Sequence, residues 1–544
     1  MTMIPTGIPY DEALAAYQPL RERPLPADTL DEESLLRRYH PDYDADAVVK
    51  LQVGPNKGDA CHRELAAVLQ ADARIDESDL AGAPVVDTDV LVIGGGGAGA
   101  TAALTAARHG AQVVLATKLR LGDSNTVMAE GGIQAAIEKS DTPQKHFDDT
   151  VQAGRGEVDR RLVAAMVMDG PDVVRWLIQQ GMQLDLDHGD LLTRRAGGTT
   201  EPRVVYYRDY TGLEMMRVLR EAVRNSQVQV WDYSPAVELL SDESGHCSGA
   251  VISSLEDSRY RLVKAKAVIV ATGGIGRMHL NGFPTSNHFG ATADGLVLTY
   301  RIGARMRDLD SFQYHPSGLA HPRHLAGTLI TEGVRSAGAF LLNGCGERFI
   351  DELRPRDHVA AAILRECAEG RGVVAGSDSV GIWLDTPGVA LRESGILEKR
   401  FPKLLELGRK SRIDPLQQPL LIYPTLHYQN GGVIINDHGL TSVPGLYCIG
   451  EVCGGIHGRN RLMGNSLLEI ISFGRKAGEH AATRCCKQSF GRISIEHLSR
   501  LRRELTLAEL PMDIKGPMLF PDYAKFDMDS DYAGLRHHAS IGED

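Results

Sequence analysis

The segment DVLVIGGGGAGATAALTAARHGAQVVLATK, residues 89–118, predicts the fold of this chain. An apolar run enters a cluster of glycines, an alanine-rich stretch follows, and a second apolar run ends at Lys118. This order is typical of a βαβ unit that binds a dinucleotide, with GxGxxG at Gly94, Gly96 and Gly99. The first glycine permits a tight turn, the second lets backbone approach a pyrophosphate, and the third lets helix pack on strand. The helix N-terminus then faces the phosphates.

The second strand ends VVLATK and has no Asp or Glu to bind an NAD ribose, which weighs against NAD. Two further apolar strands run into glycines, AVIVATGGIG at 267–276 and GLYCIGEVCGG at 445–455. Strands so far apart in the chain indicate a dinucleotide-binding domain that an inserted domain interrupts. FAD-dependent enzymes are often built in this way.

Length and composition limit the class of protein. The 544 residues exceed the ~250–300 at which single cores stop growing, so two or three domains are expected. A hydrophobic content of 43% with 58 glycines is typical of a globular, loop-rich α/β protein. No run of 18 apolar residues occurs and the first residues do not form a signal peptide, so we expect a cytoplasmic protein without a direct membrane span.

The charge and the cysteines limit the partners. A net charge of −12 argues against nucleic acid, and a small anionic substrate would need a local cluster of Arg and His. The eight cysteines show no CxxC and no iron–sulfur or zinc spacing; Cys485 and Cys486 are the one close pair. We therefore expect reduced thiols, no metal site, and any iron–sulfur centre on another subunit.

Together with the βαβ unit, four further segments resemble the flavoprotein subunits of the fumarate reductase, succinate dehydrogenase and L-aspartate oxidase family. They are SNTVMAEGGIQAA (124–136), FQYHPSGL with TLITEGVRSAGAFLLNGCGERF (312–349), RPRDHVAAAI (354–363), and LHYQNGGV with GLYCIGEVCGGIHGRNRLMGNSLLEIISFGRKAG (426–478). They follow the family's order and cover roughly residues 87–485.

The resemblance implies an α/β fold, in which an inserted α+β capping domain interrupts a Rossmann-like FAD-binding domain. The predicted divisions are an N-terminal extension (1–86), the two parts of the FAD-binding domain (87–310 and 427–485), the capping domain (311–426) and a short C-terminal tail (486–544). Within the extension, DACHRELAAVLQA (59–71) is predicted to be helical. The extension and the tail lie outside the resemblance and are candidate docking surfaces for a partner.

The resemblance also assigns residues to the reaction. The substrate-binding positions of the family match His315, Thr331, His427 and Arg461. Arg356 matches the proton donor for reduction, and its relay partners match Glu332 and Arg335, whereas Arg354 is the local alternative. A relay is needed because the pKa of an arginine is normally above ~12.

FAD-binding positions follow from the same resemblance and from the glycine motif. They are Gly94, Gly96, Gly99, Lys118, Asn125, Thr126, Glu130, Gly131, Gly132, Asp294, Glu451, Ser466 and Leu467. Asn125 aligns with the histidine that membrane-bound members bond covalently to flavin. Because asparagine cannot make that bond, we expect non-covalent FAD at a lower potential, which favours alkene reduction or amino-acid oxidation over succinate oxidation.

The expected function is reduction of fumarate, or a related C4 dicarboxylate enoate, by hydride transfer from FAD N5 with Arg356 as proton donor. The chain would act as the flavoprotein subunit of a complex with an iron–sulfur electron-transfer subunit. L-Aspartate oxidase, a succinate dehydrogenase flavoprotein and an electron-transfer flavin subunit that acts on another enoate remain alternatives. Substrate identity is least defined at Leu184, which aligns with a phenylalanine that the family places against the substrate.

Overall fold

The computed structural model describes residues 6–25, 31–377 and 379–521. The glycine turn lies where the sequence predicts it, between strand Val85–Ile93 and helix Gly97–Arg108, and strand Val113–Ala116 follows. The last strand is buried along its whole length, as expected for a parallel sheet that is covered on both faces. The predicted βαβ unit is confirmed.

A seven-stranded sheet is built around this unit. Its strand order is Gln229–Trp231, Val113–Ala116, Val85–Ile93, Tyr260–Val270, Cys247–Ser253 and Ala236–Ser241, with Leu446–Cys448 also paired to Tyr260–Val270. Tyr260–Val270 runs parallel to both Val85–Ile93 and Leu446–Cys448, so the apolar runs at 267–276 and 445–455 join the sheet of the glycine turn. The α/β, Rossmann-like fold class is therefore confirmed.

A second, six-stranded sheet carries much of the intervening chain. Its order is Ile8–Pro9, Val373–Ala375, Ser379–Leu384, Leu420–Gln429 and Phe312–Leu319, with Leu341–Leu342 also paired to Ser379–Leu384. The long antiparallel pair Phe312–Leu319 and Leu420–Gln429 lies at one side. This sheet extends past residue 426, so we propose that the inserted domain ends near Gln429.

The remaining elements are short sheets and helices. Two small sheets have three strands each, in the orders Thr193–Arg194, Val204–Val205, Ile133–Gln134 and Met306–Arg307, Gly432–Ile434, Cys453–Gly454. Three further sheets have two strands each: Val48–Lys50 with Ala60–His62, Asp72–Ala73 with Lys515–Gly516, and Leu186–Asp187 with Asp190–Leu191. The other α-helices are Tyr10–Ala16, Glu32–Tyr39, Arg63–Leu69, Asn125–Met128, Pro143–Ala153, Arg160–Gln179, Thr211–Arg224, Asp294–Ile302, Glu332–Ser336, Arg356–Ala368, Thr386–Arg392, Ile396–Arg400, Pro402–Ser411, Asn465–Cys485 and His497–Leu507. Single 3₁₀ turns occur at Pro41–Tyr43, Ala45–Ala47, Glu77–Leu80, Gly276–Met278, Leu280–Gly282 and Arg323–Leu325.

The N-terminal extension packs along both sheets. Strand Ile8–Pro9 forms the edge of the second sheet, and helix Glu32–Tyr39 lies against helix Arg356–Ala368 and buries Leu35, Leu36 and Tyr39. The predicted helix at 59–71 is helical over Arg63–Leu69 only, because Ala60–His62 forms a strand instead. The helix at 32–39 was missed because the surrounding segment is polar, although its Leu pair and its Asp31 N-cap could have indicated it.

The C-terminal tail is likewise attached to the body of the protein. Helix His497–Leu507 buries Leu498, Leu501 and Leu505 in a small apolar cluster with the antiparallel strands of the first sheet. Strand Lys515–Gly516 then pairs with Asp72–Ala73 of the extension. The part of the predicted tail from 522 to 544 lies outside the described residues. Among the helices that are described, none has the length and apolar character needed to span a bilayer.

Candidate active site

An elongated pocket lies above the glycine turn, at the carboxyl ends of the parallel strands. It encloses about 1370 Å³, including space open to solvent. Gly94 has φ +116°, and a Cβ on it would lie 2.3 Å from the Ala271 carbonyl oxygen. A Cβ on Gly99 would lie 1.9 Å from the Gly94 oxygen. Only glycine fits at both positions, so the helix packs directly on the turn and its N-terminus opens toward the pocket, which suits a pyrophosphate.

Most of the predicted cofactor residues line this pocket. They are Gly94, Gly96, Lys118, Asn125, Thr126, Asp294, Glu451, Ser466 and Leu467. Gly99 lies beneath it, in the helix-packing position that the motif assigns. The residues present therefore fit an extended dinucleotide such as FAD, with binding groups drawn from three separate parts of the chain.

Three predicted cofactor residues lie to one side of the lining. The buried Glu130 carboxylate pairs with Lys403 Nζ at 2.7 Å, and burial raises the pKa of Glu130 to about 7 although Lys403 lowers it. The Gly131 carbonyl accepts a hydrogen bond from Arg194, and Gly132, at φ +133°, passes close to Val204. A cofactor contact for Glu130, Gly131 and Gly132 remains a prediction.

Asn125 uses both ends of its amide. Its oxygen accepts from the His288 backbone N–H at 2.6 Å, and its nitrogen donates to Asn287 Oδ1 at 2.5 Å and Glu451 Oε2 at 3.2 Å. Asn287 in turn donates to the His427 carbonyl at 2.9 Å. The side chain therefore joins the wall of the pocket to the strand that carries His427, a role for which an amide suits both the donors and the acceptors.

Glu451 and a helix N-terminus face the same end of the pocket. Burial raises the pKa of Glu451 to about 7, while hydrogen bonds from Gln429 and Asn125 oppose that rise. Helix Asn465–Cys485 starts after Gly464, which is in the left-handed conformation at φ +89°, and presents Ser466 and Leu467 to the pocket. The partial positive charge of this N-terminus favours an anionic group there.

Two histidines on paired strands lie close together near Glu451 and the helix N-terminus. The rings of His315 and His427 are 5.1 Å apart. His315 Nδ1 accepts from the Ser317 backbone N–H at 3.1 Å, so its remaining ring nitrogen is the donor; His427 Nδ1 lies 2.7 Å from Ser286 Oγ. Burial lowers the pKa of each ring well below 6.5, and nearby arginines lower it further. Both rings are therefore neutral near pH 7.

A buried carboxylate organises the predicted proton-transfer residues. Glu332 accepts from Arg356 Nε at 2.7 Å, from Arg335 at 3.3 Å and from the Gly197 backbone N–H at 2.7 Å. Burial alone would raise the pKa of Glu332, but Arg356 and Arg335 lower it to about 2. Glu332 is thus ionised and fixes the direction of the Arg356 guanidinium. Arg354, the alternative, instead pairs with Glu32 near the surface.

Gln313 connects the two arginines of the site, and the sequence analysis missed it. Its amide oxygen accepts from Arg356 Nη1 at 2.9 Å and from Arg461 Nη2 at 3.0 Å. Its nitrogen donates to Asn460 and to the Arg461 carbonyl. The position of Gln313 two residues before His315, on the same face of a strand, was the available signal.

Arg461 is buried, 4.3 Å from the centre of the Tyr428 ring, and donates to Ser466 Oγ. Burial lowers its pKa to about 10, and the neighbouring Arg356 contributes. Within the part of the chain that the structure describes, Arg335 and Arg356 share one carboxylate, Glu332, and Arg461 makes no salt bridge. Three guanidiniums therefore have one directly paired carboxylate, and Glu451 acts on Arg461 only from farther away. Buried charge of this kind needs a partner, and a ligand with two carboxylates would supply it.

Two further predictions are refined by the structure. Thr331 is buried and caps helix Glu332–Ser336 through a 3.3 Å bond from the Gly333 N–H to its hydroxyl, which fixes Glu332. Leu184 is partly buried and packs against the main hydrophobic core, and its place beside the substrate remains a prediction. The loop that reaches Glu332 from this region is 196–198, through Gly197.

Residues 89–467 match the family model FAD_binding_2, described as FAD binding domain. The chain is 39% identical over 407 residues to an L-aspartate oxidase of Streptomyces coelicolor, covering 72% of this chain and 68% of that protein. It is 37% identical over 418 residues to a subunit of the fumarate reductase (CoM/CoB) of Methanothermobacter marburgensis, covering 74% of each.

A solved structure of E. coli quinol fumarate reductase FrdA superimposes with a TM-score of 0.70 at 30% identity, covering 78% of this chain and 75% of that one. These matches agree with the glycine turn and with the residues that line the pocket. They make FAD the cofactor of this protein. The chain therefore belongs to the FAD-binding family of fumarate reductase, succinate dehydrogenase and L-aspartate oxidase flavoproteins, and is an FAD-dependent oxidoreductase of the CH–CH type.

Proposed function

We propose that this protein reduces fumarate, or a related C4 dicarboxylate enoate, to the saturated dicarboxylate. The observation that carries the proposal is the buried cluster of Arg335, Arg356 and Arg461 around Glu332, which leaves two positive charges for a dianion. His427 and Arg461 belong to this end and also line the FAD pocket, so a bound substrate would lie against the cofactor.

Bound FAD, when reduced, supplies a hydride from N5 to one alkene carbon. Arg461 and the two neutral histidines hold the carboxylates by hydrogen bonds, which are strong in a buried site. Arg356 gives a proton to the other alkene carbon, so one hydride and one proton convert C=C to CH–CH. Loss of that proton removes the charge that most strongly lowers the pKa of Glu332. The Glu332 carboxylate can then take a proton from Arg335 and pass it to Arg356, and Arg335 regains its proton from outside the site.

The FAD is proposed to be non-covalent. Asn125 occupies the position that the sequence analysis matched to the covalent histidine, and both ends of its amide are engaged by His288, Asn287 and Glu451. Acid precipitation of the protein should leave FAD in the supernatant. Flavin that stays with the pellet would contradict this part of the proposal.

L-Aspartate oxidation is the second candidate, and the 39% identity to an L-aspartate oxidase supports it. An aspartate substrate brings an ammonium group that needs an acceptor in a buried site. Glu332, the carboxylate of the arginine cluster, already accepts from Arg356, Arg335 and Gly197. This arrangement favours a dicarboxylate without an amino group.

Steady-state assays separate the two candidates. With a reduced viologen as donor, fumarate should be consumed, and the Arg356→Lys variant should lack this activity. In air, wild-type protein with L-aspartate should release little hydrogen peroxide. Aspartate-dependent peroxide release at a rate above fumarate reduction would favour the oxidase.

The electrons for fumarate reduction are proposed to come from an iron–sulfur subunit. Within residues 6–25, 31–377 and 379–521, no group of three or more His, Cys, Asp or Glu is arranged to hold a metal, and all eight cysteines are free. A relative at 37% identity is named as a subunit of a fumarate reductase. The free thiols support a cytoplasmic location. Purification from the native cell should recover a cysteine-rich partner; an active chain recovered alone would oppose this assignment.

A further inference from the structure

One end of the FAD pocket lies away from the arginine cluster. The pocket runs from His427 and Arg461 past the glycine turn to Lys118 and Asp294. Lys118 follows strand Val113–Ala116 by two residues, and in dinucleotide-binding βαβ units the end of this strand holds the adenosine ribose. The Lys118–Asp294 end is therefore the adenylate end, opposite the reactive flavin.

The C-terminal tail touches both residues of this end. The Leu519 backbone N–H donates to Asp294 Oδ1 at 3.2 Å, and its carbonyl accepts from Lys118 Nζ at 2.5 Å. Asp294 Oδ2 accepts from Lys118 at 2.6 Å, which closes a ring of three hydrogen bonds at the rim of the pocket. Leu519 is at φ +65°, a conformation that is rare for a bulky residue and persists only where surrounding contacts hold it.

Other contacts attach this part of the tail to the body. Strand Lys515–Gly516 pairs with Asp72–Ala73, and Arg74 donates to the carbonyls of Pro517 and Met518. The Phe520 ring stacks on Phe289 with centroids 5.6 Å apart, and lies 5.5 Å from Lys118 Nζ. Backbone polar groups and an aromatic ring are thus brought together at the adenylate end by residues of the N-terminal extension.

We propose that residues 517–521 are a cofactor-retaining segment, which supports the adenylate end of the pocket from behind Lys118 and Asp294. By holding these two side chains in place, the segment slows the release of FAD. Retention of this kind matters most where no covalent bond to the flavin is made. The inference concerns binding of the adenylate half of FAD and does not depend on which substrate is reduced.

Two truncated chains test the segment. One ends at Pro521 and keeps every contact named above; the other ends at Met518 and also loses Leu519, Phe520 and Pro521. FAD release from each holoenzyme is followed by the rise in flavin fluorescence after dilution. The chain that ends at Pro521 should release FAD at the wild-type rate, and the shorter chain about tenfold faster. Equal rates, or slower release from the shorter chain, would overturn the proposal.

Point variants of the full-length chain test it without truncation. Phe520→Ala should speed FAD release several-fold, since the ring packs on Phe289 and on the pocket residue Lys118, and Phe520→Trp should restore most of the wild-type rate. Phe490→Ala is the matched control, because Phe490 lies against Lys264 and Lys266, which do not line the pocket, whereas Phe520 lies against Lys118, which does. Equal release from the two alanine variants would contradict a role for the tail.

Discussion

Gln313→Glu tests the charge of the substrate site directly. The Gln313 amide oxygen accepts from Arg356 and Arg461 at 2.9 and 3.0 Å, so a glutamate there would place a carboxylate between the two guanidiniums. The net charge of the three guanidiniums and their paired carboxylates would then fall from two to one. At a separation of ~5 Å and an effective dielectric constant of ~20, repulsion between that carboxylate and a substrate carboxylate is about 3 kcal/mol. Dicarboxylate binding should weaken about a hundredfold.

The assay is a titration of the oxidised protein with succinate, read from the change in the flavin absorption spectrum, together with KM for fumarate. Gln313→Met removes the amide without adding charge and should weaken binding far less than Gln313→Glu. Gln70→Glu adds the same charge at a buried glutamine of the N-terminal extension, where the amide oxygen accepts from the Gln52 N–H. It should leave succinate binding unchanged. Wild-type affinity in Gln313→Glu would refute the account of the site.

Three further predictions concern charge and protonation. Arg356→Lys should abolish fumarate reduction while FAD stays bound, because a lysine ammonium cannot donate to both Glu332 and Gln313 as the planar guanidinium does. Arg354→Lys is the control, and an equal loss of activity in both variants would rule out Arg356 as the acid. The imidazole NMR signals of His315 and His427 should not shift between pH 6 and pH 8, since burial holds the pKa of both rings well below 6.5; a titration midpoint near 6.5 for either ring would contradict this. The raised pKa of Glu130, about 7, means that the stability this group contributes is full below its unfolded pKa of ~4.3 and is lost as pH rises through 7. Glu130→Gln should therefore reduce the fall in unfolding free energy between pH 5 and pH 8 by up to about 3 kcal/mol in chemical denaturation, and an unchanged fall would contradict the assignment.

The fold could be predicted from the sequence because its central unit is local. Strand, glycine turn and helix follow one another within residues 89–118, and steric limits at Gly94 and Gly99 leave little choice of backbone. The extension was predicted less well. Its helix Glu32–Tyr39 and strand Ile8–Pro9 are stabilised by partners hundreds of residues away, and no local pattern reports such contacts.

The residues of the site likewise divide into those that could be predicted from the sequence and those that could not. The resemblance to the family assigned His427, Arg461, Asn125 and Glu451 to one site, and the pocket brings these four residues together. Gln313 was missed because a glutamine has no special chemistry until two arginines meet on its oxygen. Loop 196–198 was missed because its contribution to Glu332 is a backbone N–H, which side-chain patterns do not encode.

An anaerobic single-turnover experiment tests the central proposal most directly. The bound FAD is reduced chemically, fumarate is added, and the absorbance of oxidised flavin is followed with time. We predict that it returns in full with one succinate formed per flavin, and that Arg356→Lys, reduced in the same way, stays reduced. Wild-type flavin that remains reduced in the presence of saturating fumarate would contradict the proposed function.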